Sequence, residues 1–193
     1  NFIIMNKILR FSLLSLLTLF CGISTFAADE TIDFTQLAIT TSTTGFTFSS
    51  SSFTFTADKV DGTNAPTQNG KAKDIRLYAK NTLKIESTKS MTKIVFNMST
   101  QGLTQWGDIT PSTGTVTVDV DAKTTTWTNT TAVSSVTFTV GATNTHGTNT
   151  SKTSAQFDFN SATFTTEGAA TCISAPTISG TTPFVGSTDV TIT

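Results

Sequence analysis

Between Asp74 and Met98 the chain runs DIRLYAKNTLKIESTKSMTKIVFNM, three short runs in which apolar and polar residues alternate. Ile75, Leu77 and Ala79 share one side of the first run, Leu83 and Ile85 of the second, and Ile94, Phe96 and Met98 of the third. Successive side chains on a strand point to opposite faces, so this period of two predicts strands with one face in a core and the other in water. The polar breaks at 80–82 and 87–90 are too short for a helical crossover. Each run must therefore fold back on a neighbour or arch to a facing sheet. Phe96, in step with Ile94 and Met98, is a predicted core residue.

The same alternation recurs on either side of this unit. Residues 32–37 predict a short first strand with Phe34 inward. Phe46 and Phe48, then Phe53 and Phe55, predict two strands or one bent strand around serines 49–52. Residues 57–73 lose the pattern and, with Gly62, Pro66 and Gly70, predict a long polar loop. A second long loop is expected over 99–114. Val116, Val118 and Val120 then alternate up to a turn at 121–123, and the return strand carries Trp127 as a core residue. Val136, Phe138 and Val140 predict the next strand, and 142–153 a third polar loop. Phe157 and Phe159 alternate, but Phe164 falls off their parity, so a bulge near Asn160 and Ser161 is needed to bury all three. Eight to ten short strands with no helix between them describe an all-β fold, an antiparallel two-sheet sandwich of jelly-roll type.

Composition agrees with this. The 193 residues are 37% hydrophobic but only 13% charged, and include 15 Phe. Threonine and phenylalanine suit a pleated, half-buried surface and suit helices poorly. The formal net charge is −1. The lysines are scattered along strands and turns, so the basic patch of a nucleic-acid binder is missing from the sequence.

Residues 1–27 have the pattern of an export signal ahead of this fold. Met5 is the expected start, Lys7 and Arg10 form a positive region, 11–20 an apolar stretch, and Thr25-Phe26-Ala27 a small-x-small cleavage site. The apolar run is about ten residues, against the roughly 20 that a spanning helix needs. A lipoprotein signal at Cys21 would want a small residue before the cysteine, where Phe20 stands. Cleavage after Ala27 would leave Cys172 as the mature chain's single thiol, and a secreted or cell-surface location is expected. The sandwich then spans 28–166, a small and polar linker 167–174. Residues 175–193 begin a new alternating pattern, and further domains are expected beyond it.

Two stretches carry a family resemblance. DIRLYAKNTLKIESTKSMTKIVFNM, followed by TTTWTNTTAVSSVTFTVG, resembles a β-sandwich module of large secreted and surface proteins from Bacteroidales-type bacteria. It is a pattern of strands rather than of catalytic groups, so it implies a fold and a setting. The tail PTISGTTPFVGSTDVTIT is similar to the first two strands of the immunoglobulin-like module named for the C-terminal domain of chitobiase and β-hexosaminidase. That family implies a non-catalytic spacer or accessory domain in carbohydrate-active and surface proteins.

Candidate chemistry is sparse. His146, the sole histidine, has no carboxylate within eleven residues on either side, and it reads as a solvated loop residue unless other loops bring partners. A glycosidase would need two carboxylates facing across a cleft. Asp58, Asp61, Asp74, Glu86, Asp108, Asp119, Asp121 and Asp158 fall in turns or on outward parity, and no pair stands out. Asp58, Asp61 and Asn64 offer hard oxygen ligands within one loop for Ca²⁺, although turn chemistry alone also explains them. No other cofactor is expected.

Trp106 lies off the strand pattern among Gln101, Gln105 and Asp108, with glycines at 102 and 107. Displayed, its ring could stack on a sugar while these neighbours bond the hydroxyls. Packed, it would cap the open end of the sandwich. Tyr78 sits on polar parity between Arg76 and Lys80, either on a binding face or covering the sheet. The chain is therefore expected to be an exported non-catalytic module for glycan binding or surface display. The alternatives are a structural or adhesive spacer, or an accessory part of a longer carbohydrate-active enzyme. Exposed aromatics at one loop end would favour binding, and a uniform Thr/Ser/Asn surface would favour the spacer.

Overall fold

Two long bent strands, β6 (Thr82–Met98) and β9 (Thr124–Asn144), organise the computed structural model of the chain. It describes residues 27–167, with the backbone of 178–179 and 191–192. The expected leader, Cys21 and Cys172 lie outside the described residues, apart from Ala27 at the leader's end. The other strands of this unit are β1 (Ala28–Asp33), β2 (Gly45–Ser50), β3 (Phe53–Asp58), β4 (Thr67–Gln68), β5 (Ile75–Tyr78), β7 (Gly107–Pro111), β8 (Thr115–Asp119) and β10 (Gln156–Thr166).

The first half of β6 pairs with β3 and with the second half of β9, and β2 and β7 complete that layer. Its second half pairs with β10 and with the first half of β9, and β1, β5 and β8 complete the other layer, with β4 beyond β5. All these pairings are antiparallel, which is the expected sandwich, nearly closed as a barrel because β6 and β9 belong to both layers. The register between these two strands slips between Glu86 and Lys93. There the buried set changes from Leu83 and Ile85 to Ile94, Phe96 and Met98, one parity to the other. The expected break at 87–90 is thus a bend inside one strand rather than a turn between two. Of the two routes open to these runs, the chain takes the arch.

Each sheet turns its apolar face inward, and the core between them is largely aromatic. Nine of the ten described phenylalanines are buried, and Phe48, partly buried, stacks on Phe55 with ring centroids 4.9 Å apart. Phe34 meets Phe55 and Phe159 edge-on at 5.3 and 5.2 Å, and Trp127 is fully buried as expected. The β10 register shifts between Phe159 and Ser161, the bulge that the parity of Phe164 requires.

Four local expectations need correction. The first strand runs Ala28–Asp33, and Phe34 enters the core from a 3-10 turn, Phe34–Gln36, capped by the Asp33 side chain. The loop at 57–73 contains β4, and β9 continues three residues into the third polar loop. The loop at 99–114 contains β7, hidden because one of its two inward positions is Gly107. A side chain there would approach the Ala155 Cβ to 2.4 Å, so glycine stands where alternation would place an apolar residue.

In a separate unit, β11 (Ile178–Ser179) pairs antiparallel with β12 (Thr191–Ile192). Nothing described there tests an immunoglobulin-like assignment.

Candidate functional site

Trp106 follows a 3-10 turn, Gly102–Thr104, and its ring is turned inward: the residue is 1% exposed. Its Nε1 donates to Thr125 Oγ1 at 3.2 Å, which satisfies the one polar atom of the indole inside the core. Of the two placements left open for this ring, the structure shows the packed one. The other expected ligand contacts do not gather around it. Gln101 is exposed, Gln105 Nε2 donates to the Ser154 carbonyl at 3.1 Å, and Asp108 stands outward on β7.

Asp108 instead answers the question left open for His146. His146 Nε2 donates to Asp108 Oδ1 at 2.8 Å, and its ring lies edge-on to Trp106 at 5.8 Å. Because a carboxylate can only accept, this contact places a proton on Nε2. The amides of Thr145 and His146 both donate to the Trp106 carbonyl, while Thr148 and Asn149 donate to Leu103 and Thr104. The pair therefore ties residues 145–149 onto residues 103–106. Among the described residues no hydroxyl is hydrogen-bonded to the imidazole.

The loop that carries Asp58, Asp61 and Asn64 is bonded to Asn81. Asp58, Asp61 and Asn64 are all exposed, and the buried Asn81 reaches in from the turn between β5 and β6. Its Nδ2 donates to the carbonyls of Lys59 and Asn64 at 3.3 and 3.0 Å, while Oδ1 accepts from Tyr78 N at 2.8 Å. Among the described residues no group of three or more His, Cys, Asp or Glu side chains is placed to hold a metal. A 270 Å³ pocket lies beside β8, lined by Gly114, Thr115, Thr128, Asn129 and Thr130, with neither an acid nor an aromatic in its wall.

Asp74 and Asp158 overturn the expectation that the carboxylates are solvated. They are 1% and 0% exposed. Asp158 lies between Phe157 and Phe159 but points to the opposite face of β10, opposite Arg76 on β5, whose Nε donates to Asp158 Oδ2 at 2.8 Å. Ser99 joins the group: its Oγ donates to Asp74 Oδ2 at 2.5 Å and its amide to the Asp158 carbonyl at 3.0 Å. Burial pushes the Asp158 carboxyl up to about 7, against the pull of Arg76 and with the charge of Asp74 adding to the rise.

No protein-family model and no curated protein matches the chain.

Proposed function

We propose that the chain is an exported, non-catalytic β-sandwich module, held out as a display domain by a secreted or surface protein. The observation that carries this is the pairing of the first and last strands of the unit, with Ala28 opposite Thr166. The backbone thus enters β1 and leaves β10 side by side at one end. With the leader cleaved after Ala27, the module would be held through the residues that follow Thr166, at the end where β1 begins. The loops around Trp106 meet Gln156, ten residues up β10 from Thr166, on the order of 30 Å away at strand rise.

The surface supports display over glycan binding. Both tryptophans are buried, and the large apolar side chains exposed among the described residues are Val60 and Val120, on different turns. The sheets face outward with hydroxyls that bond one another across strands: Thr31 with Thr163 at 2.8 Å, Ser49 with Thr54 at 2.9 Å, Thr115 with Thr128 at 3.2 Å. Such a face offers little apolar area for a sugar ring to stack on.

A short epitope inserted after Asn149 in the full chain tests the proposal. Antibody should reach it on intact exporting cells or in the medium, with melting unchanged. Detection only after lysis would contradict export. Retention of the wild type on polysaccharide would replace display with glycan binding.

A further inference from the structure

Among the described residues, two buried side-chain polar atoms have no hydrogen-bond partner, Asp74 Oδ1 and Asp158 Oδ1, and both belong to one cluster. A buried carboxylate oxygen left bare is costly, on the order of several kcal/mol when the group is charged. With both acids ionised the cluster holds two anions against one cation, Arg76. A single added proton removes the charge excess and turns one bare anionic oxygen into a neutral hydroxyl.

We propose that Asp158 carries a proton in the folded protein, which relieves its repulsion with Asp74 and closes a pH-sensitive latch that pins residues 99–104 against β10.

The charged and titratable groups around Asp158 are few. Arg76 and Tyr78 come from β5, and Asp74 from the segment just before it. Residues 99–104, STQGLT, bring none, and neither does Thr67 of β4, opposite Arg76. Among the described residues no second cation is paired with Asp158 or Asp74. A metal fits poorly, since the bare oxygens number two and a guanidinium already occupies the site.

The latch is coupled outward through Ser99. Its Oγ bonds Asp74 and accepts from the Gly102 amide at 3.1 Å, and its carbonyl accepts from Leu103 N at 3.2 Å. Leu103 and Thr104 in turn accept from Thr148 and Asn149 at 2.8 and 3.1 Å. Gly102 packs so closely on β10 that a side chain would come within 2.2 Å of the Asp158 carbonyl oxygen. Loss of the proton drives the two carboxylates apart and loosens this chain of bonds out to the loop at 145–149, whatever the module displays.

The sign of the stability effect follows from a folded-state value near 7 against 3.8 unfolded. The contribution is full below the lower value and is lost as pH rises through the higher one.

Carbon-13 carboxyl NMR of the full chain, with each aspartate assigned through its own backbone, tests the proposal. The Asp158 signal should titrate near pH 7, and the amides of Gly102 and Thr148 should shift with the same midpoint. Asp74→Asn should move that midpoint to lower pH, and Asp158→Asn should flatten the fall in denaturation midpoint between pH 5 and 8. Titration of Asp158 in the ordinary carboxyl range, near 4, would overturn the latch, and so would amides that ignore its midpoint. Carboxyl signals that respond to added Ca²⁺ and not to pH would overturn it in favour of a cation site. The wild-type titration decides even where a variant fails to fold.

Discussion

Replacing Phe96 with alanine should cost about 3–5 kcal/mol, a large part of the 5–15 kcal/mol that holds a typical domain together. Phe96 is fully buried on the second half of β6, where the strand has a neighbour on each side: Ala162 of β10 and Thr125 of β9. Its ring meets Phe138, Phe157 and Phe159 edge-on at 5.5, 5.3 and 5.0 Å, so truncation removes three aromatic contacts at once. These partners lie on β9 and β10, strands too firmly hydrogen-bonded to collapse into the gap. Chemical denaturation would register the loss as a lower midpoint at unchanged slope. A midpoint equal to wild type would mean that β6 presents its other face to the core.

The second large effect is expected at Trp106. A displayed tryptophan could be removed with little cost to stability, whereas this one is core and closes the end of the sandwich. Trp106→Ala should cost a further 3–5 kcal/mol by comparison with other buried aromatics, and lower the melting temperature on the order of 10 °C. It also strips Thr125 Oγ1 of its donor and His146 of the ring it leans on. The loop at 145–149 should therefore become sensitive to protease under native conditions, while Asp108→Asn, which keeps the tryptophan, should not melt the core. A variant that melts like wild type would restore the displayed ring.

The contrast between these two residues shows what alternation can reveal. Phe96 is legible because its neighbours two positions away on each side are apolar, and parity is a property of the strand itself. Parity also foretold the β10 bulge. Trp106 follows a 3-10 turn, where no period applies, and its direction is decided by Thr125, a residue 19 positions away. The bend of β6 was hidden because Ser87, Thr88, Lys89 and Ser90 suit an exposed bend as well as a turn.

The acid pair was the least legible feature, and the reason is topological. Asp158 occupies the parity that a one-sided sheet leaves to water, and by that rule it should be solvated. It is buried because residues 99–104, more than fifty positions away, fold across the outside of β10 and bring Ser99 with them. Tyr78, on the same outward parity, stands half-buried beside Arg76. Likewise the histidine and its carboxylate are 38 positions apart, and only the meeting of two loops joins them.

Quenching of native tryptophan fluorescence by iodide tests the central claim, that the aromatic side chains are withdrawn into the core and the outward faces are left to threonine and serine. The chain has two tryptophans, Trp106 and Trp127, exposed by 1% and 0%. The emission should be blue-shifted and nearly indifferent to iodide until denaturant unfolds the chain. Strong quenching of the native protein that disappears in Trp106→Phe would contradict the account, because it would place that ring in water at the end of the sandwich.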